Sequence, residues 1–532
     1  MVNVSKEWEA AQKETLLPEM FVEISYEVTE PGLQEDAVAS GNNEESFSNV
    51  AQIVDGLEKH SEAYSALDFG CWGLDGSFEY FDDDVTDPGY VNASFSDENG
   101  NVSDNQYPTI TIDFEERRVN LIPGMVITWS ETFGAWATDF RITISNAQGI
   151  VGSTTVTGNT SPVSHVDFDM IEYSKITIEV LKWSHPHQRV RCADIMLGVR
   201  TIYTKDDLLG YTHSQSVDLL SAVLPENKID FSLRNEDGRW NPDSPTGTEK
   251  YLLERQEVKV RYGMDIDGEV EWIKGGTFWL SEWNTPQNGM EATFTARDAT
   301  EFMRAVYRGI RSGTLYDIAE AAFHEMELAV AHVVDESLKY ITTDFSADES
   351  EYMISDVLQM IAHAGCCVFY QDRDGVVRIE PRNTKFANYT IDSDISYTHP
   401  EYSVNKPLKA ISVEYGADRQ SEIIDVGARG EVQTIQNQML LTVEDARRVG
   451  KVAADLLQNR KVISGDFRAD LRMDALDNIV VASKYASNLV GITDITYSTT
   501  GGGFNGKYTG RVVTIDLHQI SHYSGETYSG EM

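Results

Sequence analysis

The chain has 532 residues, with 86 acidic side chains against 43 basic ones and a net charge of −43. That excess excludes a sequence-general nucleic-acid binder, which needs a basic face to neutralise phosphates, and it excludes docking on anionic lipid. Disorder is excluded as well: 41% of residues are hydrophobic and 10% aromatic, enough for the cores of the roughly three or four domains that the length suggests.

Met1 to Lys13 alternate charged and apolar residues and lack the apolar stretch of a secretory signal. No apolar run approaches the roughly 18 residues of a membrane span, so no membrane insertion is expected. Residues 20–28 (MFVEISYEV) place Met20, Val22, Ile24, Tyr26 and Val28 on one face, the period of a half-buried strand. Residues 29–49 are polar and turn-rich. From 65 to 200 the texture is β: ITIDF (110–114), MVITW (125–129), DFRITIS (139–145), IVGSTTV (150–156) and KITIEVLKW (175–183) are separated by turn signals such as Asn99-Gly100 and Pro123-Gly124. Short strands at this spacing predict a β-sandwich. Strands continue through 228–233, 257–264, 277–283 and 291–296.

Helical periodicity then appears at 314–328, with Leu315, Ile318, Ala322 and Met326 on one face, and at 350–364, with Ser350 as N-cap and Gly365 as stop. A hairpin follows, CCVFYQ and VVRIEP around the turn Asp372–Gly375. Residues 408–441 read as β. Residues 443–460 read as an amphipathic helix capped by Thr442. Strands at 478–484, 489–498 and 507–517 close the pattern.

The motifs carry little chemistry. Gly501–Gly506 fits GxGxxG, but strands flank it on both sides and no helix follows to hold a pyrophosphate, so it reads as a hairpin tip. His324-Glu325 lacks the second zincin histidine, because residue 328 is Leu. Asp97, Asn99 and Asn101 space oxygen ligands as a calcium loop does, yet Val102 and Pro108 stand where an EF-hand needs Gly and Glu. A polar turn is the plainer reading, and a structural Ca²⁺ in the sandwich is the alternative. The run Asp82–Asp84 with Asp87 has the same two readings. His185, His187 and Cys192 lack a fourth zinc ligand. Four cysteines make no disulfide framework. No catalytic constellation is present, so the expectation is a binding or structural protein, not an enzyme.

Several stretches resemble tail proteins of phages and prophages that infect Gram-positive hosts, and specifically the baseplate (tail-tip) hub family with an inserted galactose-binding-like β-sandwich. Residues 64–78 (YSALDFGCWGLDGSF) resemble their entry segment, and 276–303 a strand, hairpin and helix of the same proteins. Residues 350–381 resemble their helix and DRDG hairpin, and 474–513 their last barrel strands. The resemblance implies a mainly β fold with α+β parts: two tail-tube-like β-barrels, an inserted jelly-roll or discoidin-like sandwich, and a small helical middle region. The implied domains are 1–64 plus 201–305 as the first barrel, 65–200 as the insertion, 306–375 as the middle region, and 376–532 as the second barrel, interrupted by the helix 443–460.

The implied function is a structural virion protein that caps the tail tube and forms part of the DNA exit channel, assembled in the bacterial cytoplasm. The implied partners are further copies in a homotrimer, the tail tube or distal tail ring, the tape-measure protein, and a central fibre or spike. A hexameric distal tail protein is the alternative. Because the chain ends after barrel-like strands, no wall-degrading domain is expected. The sandwich suggests a third reading, binding of a host-surface glycan by aromatic rings that stack on pyranose faces. Trp136, Tyr90 and Trp129 are the candidates. Trp129 also fits a buried position in its strand, and Trp136, in the loop SETFGAWATD, is best placed for exposure. The resemblance further implies a Cys71–Cys192 bridge as an option, against which stands assembly in a reducing cytoplasm. DNA passing such a ring would not be bound, and an acidic lumen would let it slide. The densest charge, 14 acids against 3 bases, falls in residues 1–64.

Overall fold

The computed structural model describes residues 1–14, 18–29, 33–34, 36–54, 68, 88–102, 106–130, 133–236, 238, 240–241, 255–286, 289–326, 330–348, 350–382, 386–500 and 503–513. Cys71, the run Asp82–Asp84 with Asp87, and nearly all of 64–78 lie outside the described residues. The chain divides into two units, Met1–Ile24 with Tyr203–Glu236 and Val258–Met532, and Ser25–Ile202 with Asp237–Glu257. The fold is mainly β with α+β parts.

The first unit is built on one long sheet. In spatial order its main path runs Val199–Tyr203, Met20–Val28, Glu257–Ile266, Glu269–Asn284, Glu291–Arg297, Glu226–Arg234, Leu208–Ser216, Ser487–Thr500, Gly503–Val512, Lys461–Arg468 and Glu401–Val404, and Asn478–Ala482 pairs with Ser487–Thr500 and with Phe386–Ile391 off this path. Strands expected in two separate barrels therefore lie side by side. Leu208–Ser216 pairs antiparallel with Ser487–Thr500, His213 opposite Tyr497. Among the described residues no closed barrel is found. Of the GxGxxG stretch, Gly501 and Gly502 lie outside the described residues, and Gly503 opens a strand that pairs with Ser487–Thr500, opposite Thr500.

Four helices accompany the strands: α1 (Lys6–Ala11), α2 (Leu315–His324), α3 (Ile354–Gly365) and α4 (Val443–Leu457). Helix α1 starts at the N-cap Ser5, whose hydroxyl accepts from Trp8 N–H, and it buries Trp8. Thr314 caps α2, a cap not read from the sequence, and Thr442 caps α4 as expected, forming a capping box with Asp445. Helix α3 departs from expectation at both ends. Its N-cap is Met353, whose N–H donates to Asp356, and Ser350 lies before the helix. At its C-terminus Cys366 takes the left-handed conformation, φ 57°. Gly365 is needed for space instead: a Cβ there would lie 2.3 Å from Leu338 Cδ2.

Strands Leu408–Tyr415, Gln420–Asp425 and Glu431–Ile435 form a small sheet of their own. Helix α4 packs on it, and Ile411, Val413, Ala446 and Val449 share one core with Ile318 of α2 and Ile361 of α3. The expected boundary at 375 thus does not follow the packing: 408–457 cluster with the helical region.

The second unit is a β-sandwich. One sheet runs Val38–Gly41, Thr109–Arg118, Tyr173–Trp183, Ala137–Asn146, Gly149–Val156. A second runs Asp194–Leu197, Ile122–Thr128, Val163–Met170, and Tyr90–Phe95 pairs with Arg189–Cys192. Val38–Gly41 was expected in the polar connection of the first barrel and is instead the edge strand next to Thr109–Arg118. The core holds Ile112, Ile127, Ile142, Ile178 and Trp183, contributed by alternating positions of the facing strands.

Candidate functional site

The sandwich residues expected to stack on sugars divide by the face their strands give them. Trp129 follows Ile122–Thr128 and is wholly buried. Its indole N–H donates to Ser164 Oγ at 2.9 Å, and its ring packs edge-on against Phe140 and Trp183. Tyr90 opens Tyr90–Phe95 on the inward face and is also wholly buried. Its hydroxyl donates to the Asn42 carbonyl at 3.0 Å, and burial raises its pKa well above the usual phenol value. The expectation that these two rings serve as exposed platforms is therefore corrected: neither shows a face to solvent.

Trp136 is half-buried. Its indole N–H donates to the Asn159 carbonyl at 2.9 Å, and its ring meets His185 edge-on at 6.0 Å. Asn159 in turn donates to the carbonyls of Ala137 and Ser161 and to Ser164 Oγ, so the loop that carries Trp136 is held in place.

Asp97, Asn99 and Asn101 form a closed turn. Asp97 Oδ1 accepts from the backbone N–H groups of Asn99 and Asn101, and Oδ2 accepts from the Asn101 side chain, each at 2.8 Å. These bonds, the Asn101 side chain first, hold the carboxyl below its usual range. Its lone pairs face donors within the loop. Among the described residues no group of three or more His, Cys, Asp or Glu is placed to hold a metal ion. Cys192 is buried, and its proposed partner Cys71 lies outside the described residues.

Sequence reasoning missed a cleft of about 440 Å³ in the first unit. The DRDG turn forms one wall. Arg373 there is nearly buried, and its Nε donates to both Asp474 oxygens at 2.9 Å. Its remaining N–H groups reach the carbonyls of Lys274, Leu471 and Met473. One arginine thereby fastens the hairpin to the loop before Asn478–Ala482 and to Glu269–Asn284. The turn could be read in the sequence, but an arginine between two aspartates reads as solvated polarity.

Beside this wall a polar chain runs through the sheet. Tyr211 Oη is 2.8 Å from Tyr262 Oη, and Tyr262 Oη is 2.7 Å from His213 Nδ1. His213 Nε2 is 2.8 Å from Asn227 Oδ1. Asn227 Oδ1 can only accept, so His213 carries its proton on Nε2, and Tyr262 donates to Nδ1. Burial pushes His213 down to about 4, which keeps the ring neutral. The backbone carbonyl of Asn227 accepts from Asp298 N–H at 3.0 Å. Asp298 caps the short helical turn Ala299–Met303, and burial pushes its carboxyl up to about 6. The cleft is lined by carboxylates and amides together with Tyr370 and Arg373, and Val217, Val368 and Leu476 form its apolar part.

No family model matches the chain, and no curated protein matches it. Among solved structures the chain is similar to the 43 kDa tail protein of prophage MuSo2 from Shewanella oneidensis, at 13% identity and TM-score 0.42, over 58% of this chain and 94% of that one. A tail protein from Neisseria meningitidis MC58 aligns at 10% identity and TM-score 0.42, over 59% and 94%. The family 32 carbohydrate-binding module of C. perfringens NanJ, solved with galactose, aligns at 16% identity and TM-score 0.21, over 34% and 99%. The structural neighbours are thus phage and prophage tail and baseplate proteins, with a partial match to a carbohydrate-binding module.

Proposed function

We propose that this chain is a non-enzymatic structural component of a phage or prophage tail, located in the baseplate or tail tip. The observation that carries the reading is the segment 350–381, whose helix and hairpin favour a hub over a distal tail protein. It folds as α3 followed by the hairpin Cys367–Gln371 and Val377–Pro381, fastened to the long sheet by Arg373. A hairpin anchored in this way suits a ring component better than a mobile adsorption module. Within the reading, the chain is a hub: a homotrimer that caps the tail tube or distal tail ring, meets the tape-measure protein and a central fibre or spike, and lets DNA pass unbound. Mass photometry of the full chain and of tail fractions tests it. Trimers that join tails are expected. A hexameric ring would favour the distal tail protein, and a monomer absent from tails would overturn both.

A second reading is favoured by Trp136, which is only partly buried against the sandwich core and sits on a loop fixed by Asn159. It assigns the sandwich to a host-surface glycan. Retention of the full chain on host-cell polysaccharide, lost in Trp136→Ala, is the expected result. Equal retention of both proteins would remove the reading.

A further inference from the structure

Glu401–Val404 ends the long sheet. Among the described residues it pairs on one side only, antiparallel to Lys461–Arg468 and in unbroken register. The Asn405 N–H donates to the Arg460 carbonyl at 2.9 Å, and this bond sets the phase of the ladder. Opposed residues of an antiparallel pair alternate between exchanging hydrogen bonds and not exchanging them. Glu401 and Ser403 therefore turn their backbone groups toward Lys461–Arg468, and Tyr402 and Val404 turn theirs to the open side. All four residues are exposed, Tyr402 by 45% and Val404 by 59%.

A strand with free N–H and C=O groups is a template for another strand, and folded chains blunt such edges with charge, proline or a bulge. Gly149–Val156 and Glu431–Ile435, edge strands of other sheets, each carry a register shift against their neighbour. Glu401–Val404 carries none, and Tyr402, Ser403 and Val404 are uncharged. The charge of the chain narrows the choice of occupant. At −43 each copy repels the next wherever acids face acids, whereas backbone pairing between neutral residues needs no ion pair. A head-to-tail contact requires two different surfaces on one chain, and it closes into a ring when the rotation allows. The long sheet supplies two, because its path begins at Val199–Tyr203 and ends at Glu401–Val404. Val199–Tyr203 contains no acid, and Ile202 within it is 48% exposed.

We propose that Glu401–Val404 is the strand through which one copy of this chain joins the next: the backbone groups of Tyr402 and Val404 pair with Val199–Tyr203 of a second copy, and the sheet continues from chain to chain. The inference rests on the ring reading above and adds the contact that builds the ring.

Two measurements on the full chain test it. Val404→Pro removes one outward N–H and leaves the bonds to Lys461–Arg468 in place, a substitution that a solvent-facing edge tolerates. It should keep the far-UV spectrum of wild type and weaken trimer association roughly tenfold, read by mass photometry. The second measurement places the photo-crosslinker p-benzoylphenylalanine at position 402. Irradiation should yield a product of doubled mass whose peptide map joins position 402 to Val199–Tyr203 of another copy. Trimers that form without that crosslink, or that a folded Val404→Pro leaves unchanged, would overturn the inference and leave the ring reading standing. A chain that forms no trimer would remove the ring reading and this contact with it. In tail fractions, a crosslink from 402 to a different protein would show that the edge belongs to another partner and would likewise overturn the inference.

Discussion

His213 and Asp298 titrate in opposite senses, and Asn227 links them, through its side chain to the histidine and through its backbone to the aspartate. His213 is held at about 4, below its ordinary 6.5. Its contribution to stability is present above pH 6.5 and is lost as pH falls toward 4, because the unfolded chain takes up the proton first. Asp298 is held at about 6, above its ordinary 3.8. Its contribution is present below pH 3.8 and is lost as pH rises through 6. Each shift corresponds to roughly 3 kcal/mol at most, so the two largely offset between pH 4 and 6.5. Asp298→Asn should remove one arm. Relative to wild type the variant should gain stability at pH 7.5 and lose most of that gain by pH 4.5, read as the urea midpoint across pH. His213→Gln should be less stable than wild type at pH 7.5, with the deficit shrinking as pH falls. Parallel pH profiles for wild type and both variants would sink the account. None of this was legible in the sequence. His213 sits in an alternating strand, and nothing near it signals that Tyr262, 49 residues away, closes over its ring.

Elements were more legible than their partners. Met20–Val28, α2, α4 and the hairpin around Asp372–Gly375 can all be read from period and capping, because those signals are local. Sheet membership is not local. Leu408–Tyr415 and Lys461–Arg468 are both β, yet one joins the small sheet under α4 and the other the long sheet. What decides is the surface offered by α4. Gly450 lies on its buried face, where a Cβ would come within 2.6 Å of Ile424 Cγ1 and 3.1 Å of Val413 Cγ2. Alanine at 450 would gain about 1 kcal/mol of helix propensity and lose about 1–3 kcal/mol to overpacking. Gly450→Ala is therefore expected to lower stability by up to about 2 kcal/mol. Adding Ile424→Ala should return part of that loss beyond simple additivity in a double-mutant cycle. A stabilised Gly450→Ala protein would show that α4 stands off the small sheet.

At the scale of the molecule, charge and assembly oppose each other. Each chain carries −43, and the proposed trimer brings three such chains together. Like charge at this density disfavours association at long range, and salt removes the penalty: the screening length falls from about 30 Å at 0.01 M to about 10 Å at 0.1 M. An interface held mainly by apolar and neutral contacts should therefore tighten as salt rises, whereas one held by ion pairs should loosen. Many ion pairs of the described residues are already spent within the chain, Arg373 on Asp474, Arg472 on Asp470, Arg261 on Glu23 and Arg189 on Asp68. With 86 acidic against 43 basic side chains on every chain, repulsion between subunits dominates at low salt. The trimer fraction at fixed chain concentration is thus expected to rise between 20 and about 300 mM salt, measured by mass photometry or sedimentation. The same charge predicts that double-stranded DNA does not bind the assembled ring even at the low-salt end, measured by fluorescence anisotropy. A trimer that dissociates with added salt, or a ring that captures DNA at 20 mM, would show that the bases gather at the interface or the bore, and the acid excess would then lie on the outer surface, where it could not ease the passage of DNA.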